Sequence, residues 1–272
     1  MNFWQSLLAF LDASMETPTT FGWFHVMWLA ITFLAWIPLL RFPKQQSRDH
    51  VRRVILVTAL IVIVLEVYKQ INYNFSYSDG IAFDYRWQFF PFQFCSTPMY
   101  IGLLAGLIKK GKLHDSLCAY LATYAVFAGT AVMIYPGDVF TKAIGINIQT
   151  MICHGSMITI GIYLFATSYV KMRHKTILKA MPVFAVMVGM AAVMNEIGNI
   201  TGLAEEHSFN MFYISPYCDP HLPVYSEVQK VVPFPWSLVI YILGFSAAAY
   251  LILLIAMGIG AIIRKTRHAT PV

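Results

Sequence analysis

The chain has 272 residues, 58% of them hydrophobic and only 12% charged, with a mean hydropathy of +0.62. This excludes an ordinary soluble domain, where about 25% of residues are charged, and implies a membrane protein. The net charge of +6 comes from short loops between apolar stretches, so it reads as a topology signal and not as a nucleic-acid footprint.

Near the N-terminus, Phe3 to Leu11 is apolar but too short to cross hydrocarbon, which takes about 20 residues. It predicts a short interfacial helix. Seven stretches are long enough to span, at 21–40, 54–74, 91–108, 116–135, 147–170, 181–200 and 236–263. Backbone polar groups in lipid must be satisfied internally, and nothing alternates as barrel strands do. The expectation is therefore an all-α polytopic bundle of seven transmembrane helices, a single integral membrane domain over 1–272. Between the last two spans, segment 201–235 is rich in aromatic residues and proline; it reads as interfacial anchoring or as a lid, and FPW at 234–236 as the start of the last helix.

Fifteen of the 19 Lys and Arg residues lie in loop 41–53, loop 109–112, loop 171–179 and the C-terminal tail, while Lys69, Arg86, Lys142 and Lys230 fall on the opposite side. Cytoplasmic loops collect basic residues. The N-terminus is expected outside, the C-terminus in the cytosol, and the protein in a cell membrane, with the bacterial cytoplasmic membrane as the setting.

With this orientation, the intramembrane polar residues fall at one outer level. His25 lies on the first span, Glu66, Lys69, Gln70 and Asn72 on the second, and Gln93, Cys95 and Thr97 on the third. Gln149, Cys153 and His154 lie on the fifth, and Asn195, Glu196 and Asn199 on the sixth. Ionisable groups in a bilayer are costly and mark function by default. Each also has a structural explanation: Glu66 and Lys69 pair at i, i+3, the 195–199 group bonds the next loop, His25 is an interfacial residue, and a lone cysteine fills space.

A thiol beside an imidazole is a nucleophile beside its base. Cys95 and His154 both lie within about two turns of the outer surface, close enough to meet. Pro98 is expected to kink the helix beside the thiol, and Gly155 to let a neighbour or substrate approach His154. Gln93, Asn195 and Asn199 offer amide donors to an oxyanion, with Glu66 or Glu196 orienting the imidazole. Cys153 is a reserve nucleophile. Such a dyad at membrane depth suits transfer of an acyl group from one lipid to another through a Cys95 thioester, with low water activity favouring transfer over hydrolysis. Membrane lipids are the expected partners. No Gly-rich phosphate loop implies a soluble cofactor.

TTFGWFHVMWLAITF in the first span, FPFQFCSTP in the third, QTMICHGSM in the fifth, NEIGNITG and FNMFYIS around the end of the sixth and VPFPWSLVIYIL at the seventh resemble, in that order, the bacterial YwaF-like integral membrane proteins. Those are similar to the animal transmembrane protein 164 family of lipid acyltransferases. The resemblance implies that Cys95 accepts the acyl group, that His154 is its partner, and that Glu66 and His25 occupy family positions; Phe94 stands where leucine is usual. Three other readings stay open. One is a zinc hydrolase using His25, His154, Cys95 and a carboxylate, although no HxxxH-type spacing pre-pairs ligands. Another is a transporter or receptor with a polar outer cavity. In the third, the polar groups serve only as interhelical glue.

Overall fold

The computed structural model describes residues 2–41, 46–204, 208–219 and 222–269. Lys44 of the first basic loop and Glu205 and Glu206 of segment 201–235 lie outside these. Helix α1 spans Phe3–Leu11, α2 Trp23–Arg41, α3 Arg48–Asn74, α4 Thr97–Leu107, α5 Lys112–Ala122 and α6 Tyr124–Ile134; α7 spans Ile144–Ala166, α8 Lys175–Thr201, α9 Pro223–Val231 and α10 Trp236–Ala269. A two-residue hairpin, β1 (Phe75–Ser76) with β2 (Ala82–Phe83), caps the end of α3.

Five of these units are long and apolar enough to cross a membrane: α3, the α5–α6 column, α7, α8 and α10 to Ile262, while α2 and α4 are shorter apolar helices. Their positions match the seven apolar stretches, with two differences. The stretch at 116–135 is interrupted at Thr123, whose backbone leaves helical geometry (φ −125°, ψ −73°), while its hydroxyl bonds the Ala119 carbonyl at 2.7 Å. The stretch at 91–108 becomes helical only at Thr97. Pro98 therefore sits in the first turn of α4, where its missing N–H costs nothing, and does not kink a helix through Cys95. The Phe94 carbonyl accepts the Thr97 hydroxyl at 2.9 Å instead.

Helix α7 is the hub, packing against α2, α3, α5 and α6; α3 lies along α4, and α8 and α10 close the other side. Small residues set the tightest crossings, as membrane helices require. A Cβ on Gly129 of α6 would stand 2.7 Å from the His154 carbonyl, and one on Gly106 of α4 would stand 2.9 Å from the Leu56 Cα of α3. Because backbone cannot give way as a side-chain tip can, Gly106→Ala should cost about 1–3 kcal/mol, seen as a lower denaturation midpoint in detergent.

At one end of the bundle the basic loops meet: Arg52 donates to the Gly106 carbonyl at 3.0 Å, and Lys179 pairs with Asp115 at 3.0 Å. At the other end, α1 has no buried residue and is tied down by its following segment, where Met15 N–H donates to the Lys142 carbonyl at 2.7 Å and the Leu11 carbonyl accepts the Tyr68 hydroxyl at 2.7 Å. Segment 209–215 folds into the top of the bundle: Met211, Phe212 and Ile214 are fully buried, and Phe212 packs on Phe92, Phe94 and Phe184. It is a plug inserted among the helices more than an anchor lying on the surface.

Candidate functional site

Cys95 lies in the turn before α4, immediately ahead of the N-cap Ser96. The Gln93 carbonyl holds this turn by accepting both Ser96 N–H at 2.8 Å and Thr97 N–H at 3.1 Å. The thiol is half-buried and lines a small hollow of about 30 Å3 between α3, α4, α5 and α7, opposite Cys153. Glu66 and Lys69 are its charged neighbours. These two pair at 2.8 Å, and Gln70 donates to the same Glu66 oxygen at 2.9 Å, so Glu66 is held by α3 itself and does not orient an imidazole.

His154 is one residue beyond Cys153, about 100° further round α7. Its Nδ1 lies 2.7 Å from the Thr150 carbonyl. A carbonyl only accepts, so Nδ1 carries the proton and Nε2 is left with its lone pair. That Nε2 is buried and has no partner. A buried polar atom without a partner costs about 1–3 kcal/mol, and among the described residues His154 Nε2 shares this state with His114 Nδ1 and Trp28 Nε1. No hydrogen bond joins it to the Cys95 thiol. Gly155 makes room for a neighbour, since a Cβ there would meet the Thr32 hydroxyl of α2 at 2.8 Å.

His25 is the opposite case. It is fully buried, its Nδ1 accepts Phe21 N–H at 2.9 Å, and its Nε2 donates to the Met133 carbonyl at 2.9 Å. Both nitrogens are used, so His25 clips α2 to the end of α6 and is not an interfacial residue. Among the described residues no three His, Cys, Asp or Glu side chains converge as metal ligands, which leaves the zinc alternative without a donor set.

The amides of Gln93 and Asn195 hold the plug. Gln93 donates to the Asn210 carbonyl at 2.8 Å and accepts Phe212 N–H at 2.8 Å. Asn195 donates to the Met211 carbonyl at 3.0 Å and accepts Met211 N–H at 2.6 Å. Asn199 donates to the Asn195 carbonyl at 2.7 Å, and Glu196 accepts the Tyr217 hydroxyl at 2.9 Å. Phe212 and Tyr213 take positive φ, 59° and 55°, a conformation costly for bulky residues and sustained by these clamps and by Tyr241, which donates to the Phe212 carbonyl at 3.0 Å. The amides expected to face an oxyanion thus serve the loop.

Residues 20–257 match the model of the TMEM164 family. The chain belongs to that family. No curated protein and no solved structure matches it. Membership and the apolar helices together make this TMEM164-family chain a multi-pass membrane protein.

Sequence reasoning passed over a thiol–imidazole contact elsewhere in this TMEM164-family chain. On α5, the Cys118 sulfur lies 3.6 Å from His114 Nε2, and the same nitrogen meets the Tyr169 hydroxyl at 2.7 Å. The i, i+4 spacing of His114 and Cys118 was the available signal. Both are buried at the basic end of the bundle, away from Cys95.

Proposed function

We propose that this protein is a membrane lipid acyltransferase that carries its acyl group as a thioester on Cys95, with His154 as base. The observation that carries the reading is the unpaired Nε2 of His154, on the residue next to the Cys153 that shares a hollow with Cys95. In the reading, the bundle spans the bacterial cytoplasmic membrane seven times, α2 and α4 included, with the N-terminus and the plug outside and the basic loops in the cytosol. The thiol then sits in the outer leaflet.

The N-cap of α4 follows Cys95, and the partial positive charge of a helix N-terminus favours a thiolate. In the first half-reaction the Cys95 proton passes to His154 Nε2. The sulfur attacks a phospholipid ester carbonyl, a C–S bond forms, the C–O bond breaks, and the imidazolium returns its proton to the departing alkoxide. In the second, a lysophospholipid hydroxyl gives its proton to Nε2 and attacks the thioester, breaking the C–S bond and regenerating the thiol. Gln93, Asn195 and Asn199 are positioning residues that seat the plug over the thiol.

The test uses the purified full chain in vesicles containing a deuterated-acyl phospholipid and an unlabelled lysophospholipid. Label should appear in newly acylated acceptor, and Cys95→Ala should stop it. Transfer that survives Cys95→Ala overturns the proposal.

A further inference from the structure

Helices α2 and α3 both pack on α7 but barely on each other, so a groove opens between them with α7 as its floor. It encloses about 300 Å3, the lower end of the range for ligand sites, about 300–1,000 Å3. On α7 it runs from Met151 to Tyr163, about 18 Å along the axis at 1.5 Å per residue. Its lips carry exposed apolar residues, Ile31 on α2 and Ile61 on α3, so it opens toward lipid.

Three of its hydroxyls add little polarity. Thr58 donates to the Val54 carbonyl at 2.9 Å, Ser156 to the Cys153 carbonyl at 2.7 Å and Thr159 to the Gly155 carbonyl at 2.8 Å. Each spends its proton on its own helix and turns mainly hydrocarbon to the groove. The groove and the thiol hollow share a wall: Thr58, Ser156 and Ile160 line both. Cys95 lies on the far side of this shared wall from the hydrocarbon-lined slot.

We infer that the α2–α3 groove is the acyl-chain site, holding the tail of the fatty acyl group whose carbonyl is presented to Cys95, and that it sets the chain length accepted. This rests on the acyl-enzyme reading for its purpose, but not for its detection. An apolar tail gains about 0.8 kcal/mol per methylene only against surface drier than its surroundings. In a membrane the groove therefore acts by shape, excluding tails that do not fit, more than by raw affinity.

The test is photocrosslinking in vesicles of phosphatidylethanolamine and phosphatidylglycerol doped with a phospholipid bearing a diazirine at the end of one acyl chain, with sites mapped by peptide mass spectrometry. Crosslinks should concentrate on Ile31–Ala35, Thr58–Ile61 and Ile152–Thr159, in wild type and Cys95→Ala alike. Ala35→Phe, which adds bulk from the exposed lip, and Thr58→Phe should each reduce them at least about fivefold, by occupying the space a tail would fill. Labelling spread evenly round the perimeter, including Leu251 and Ile255 of α10, overturns the inference, as does labelling that both fillings leave unchanged. Groove labelling without any Cys95 adduct supports the chain site while sinking the thioester; a Cys95 adduct with even perimeter labelling does the reverse.

Discussion

Cys95→Ser is expected to lower acyl transfer at least about 1,000-fold, on the scale seen when a covalent nucleophile is removed from an enzyme, with no loss of folded protein. The exchange is nearly isosteric, and the site is a half-buried turn held by backbone bonds of Gln93 and not by the thiol. A hydroxyl in the same place is a far weaker nucleophile, and its proton does not leave for an imidazole as a thiol proton does. His154→Gln should cost about 100- to 10,000-fold, the usual worth of a general base, and should preserve the bond to the Thr150 carbonyl through the amide N–H. Measured initial rates of label transfer in vesicles decide both. Equal rates for wild type and Cys95→Ser, with Cys153→Ser inactive, would move the nucleophile to α7.

The largest expected effect on stability is at Asn195. Its side chain imitates a backbone strand, giving and taking one hydrogen bond with Met211, both within a region closed to water. Asn195→Leu leaves the buried Met211 N–H unpaired, at about 1–3 kcal/mol, leaves the Met211 carbonyl only the long bond from Ile214 N–H at 3.4 Å, and releases the restraint that keeps Phe212 at positive φ. The predicted outcome is a sharply lower denaturation midpoint together with faster amide exchange across 209–215. Asn195→Asp retains the acceptor for Met211 N–H and should fall between wild type and Asn195→Leu. An unchanged exchange rate in 209–215 for Asn195→Leu would show that the plug does not depend on this clamp.

The spans were legible because length and apolarity alone determine what can cross hydrocarbon: α3, α7, α8 and α10 lie where their apolar runs lie. The break at Thr123 was not legible, since no glycine or proline marks it and it is sustained by packing around Gly161, where Val126 and the Leu121 carbonyl crowd α7. Pro98 was visible, but two rules compete at such a residue. The first-turn rule wins because no helix leads into it: residues 90–96 are coil and turn, with the Gln93 carbonyl taking Ser96 N–H and Thr97 N–H. The site was legible as a list of residue types and hardly at all as a set of partners. Gln93 bonds residues 117 and 119 positions away, and no local pattern reports such pairings. The difference between His25 and His154 was equally hidden. Both are buried histidines on apolar helices, and only the partners of each ring nitrogen separate a clip from a candidate base.

The most direct measurement of the central claim is the intact mass of the purified chain after incubation with a phospholipid of known acyl composition. The account predicts a single added fatty acyl mass, located on Cys95 by peptide mapping, removed by neutral hydroxylamine and absent from Cys95→Ser. Transfer of acyl groups with no hydroxylamine-labile mass ever found on Cys95 would contradict it.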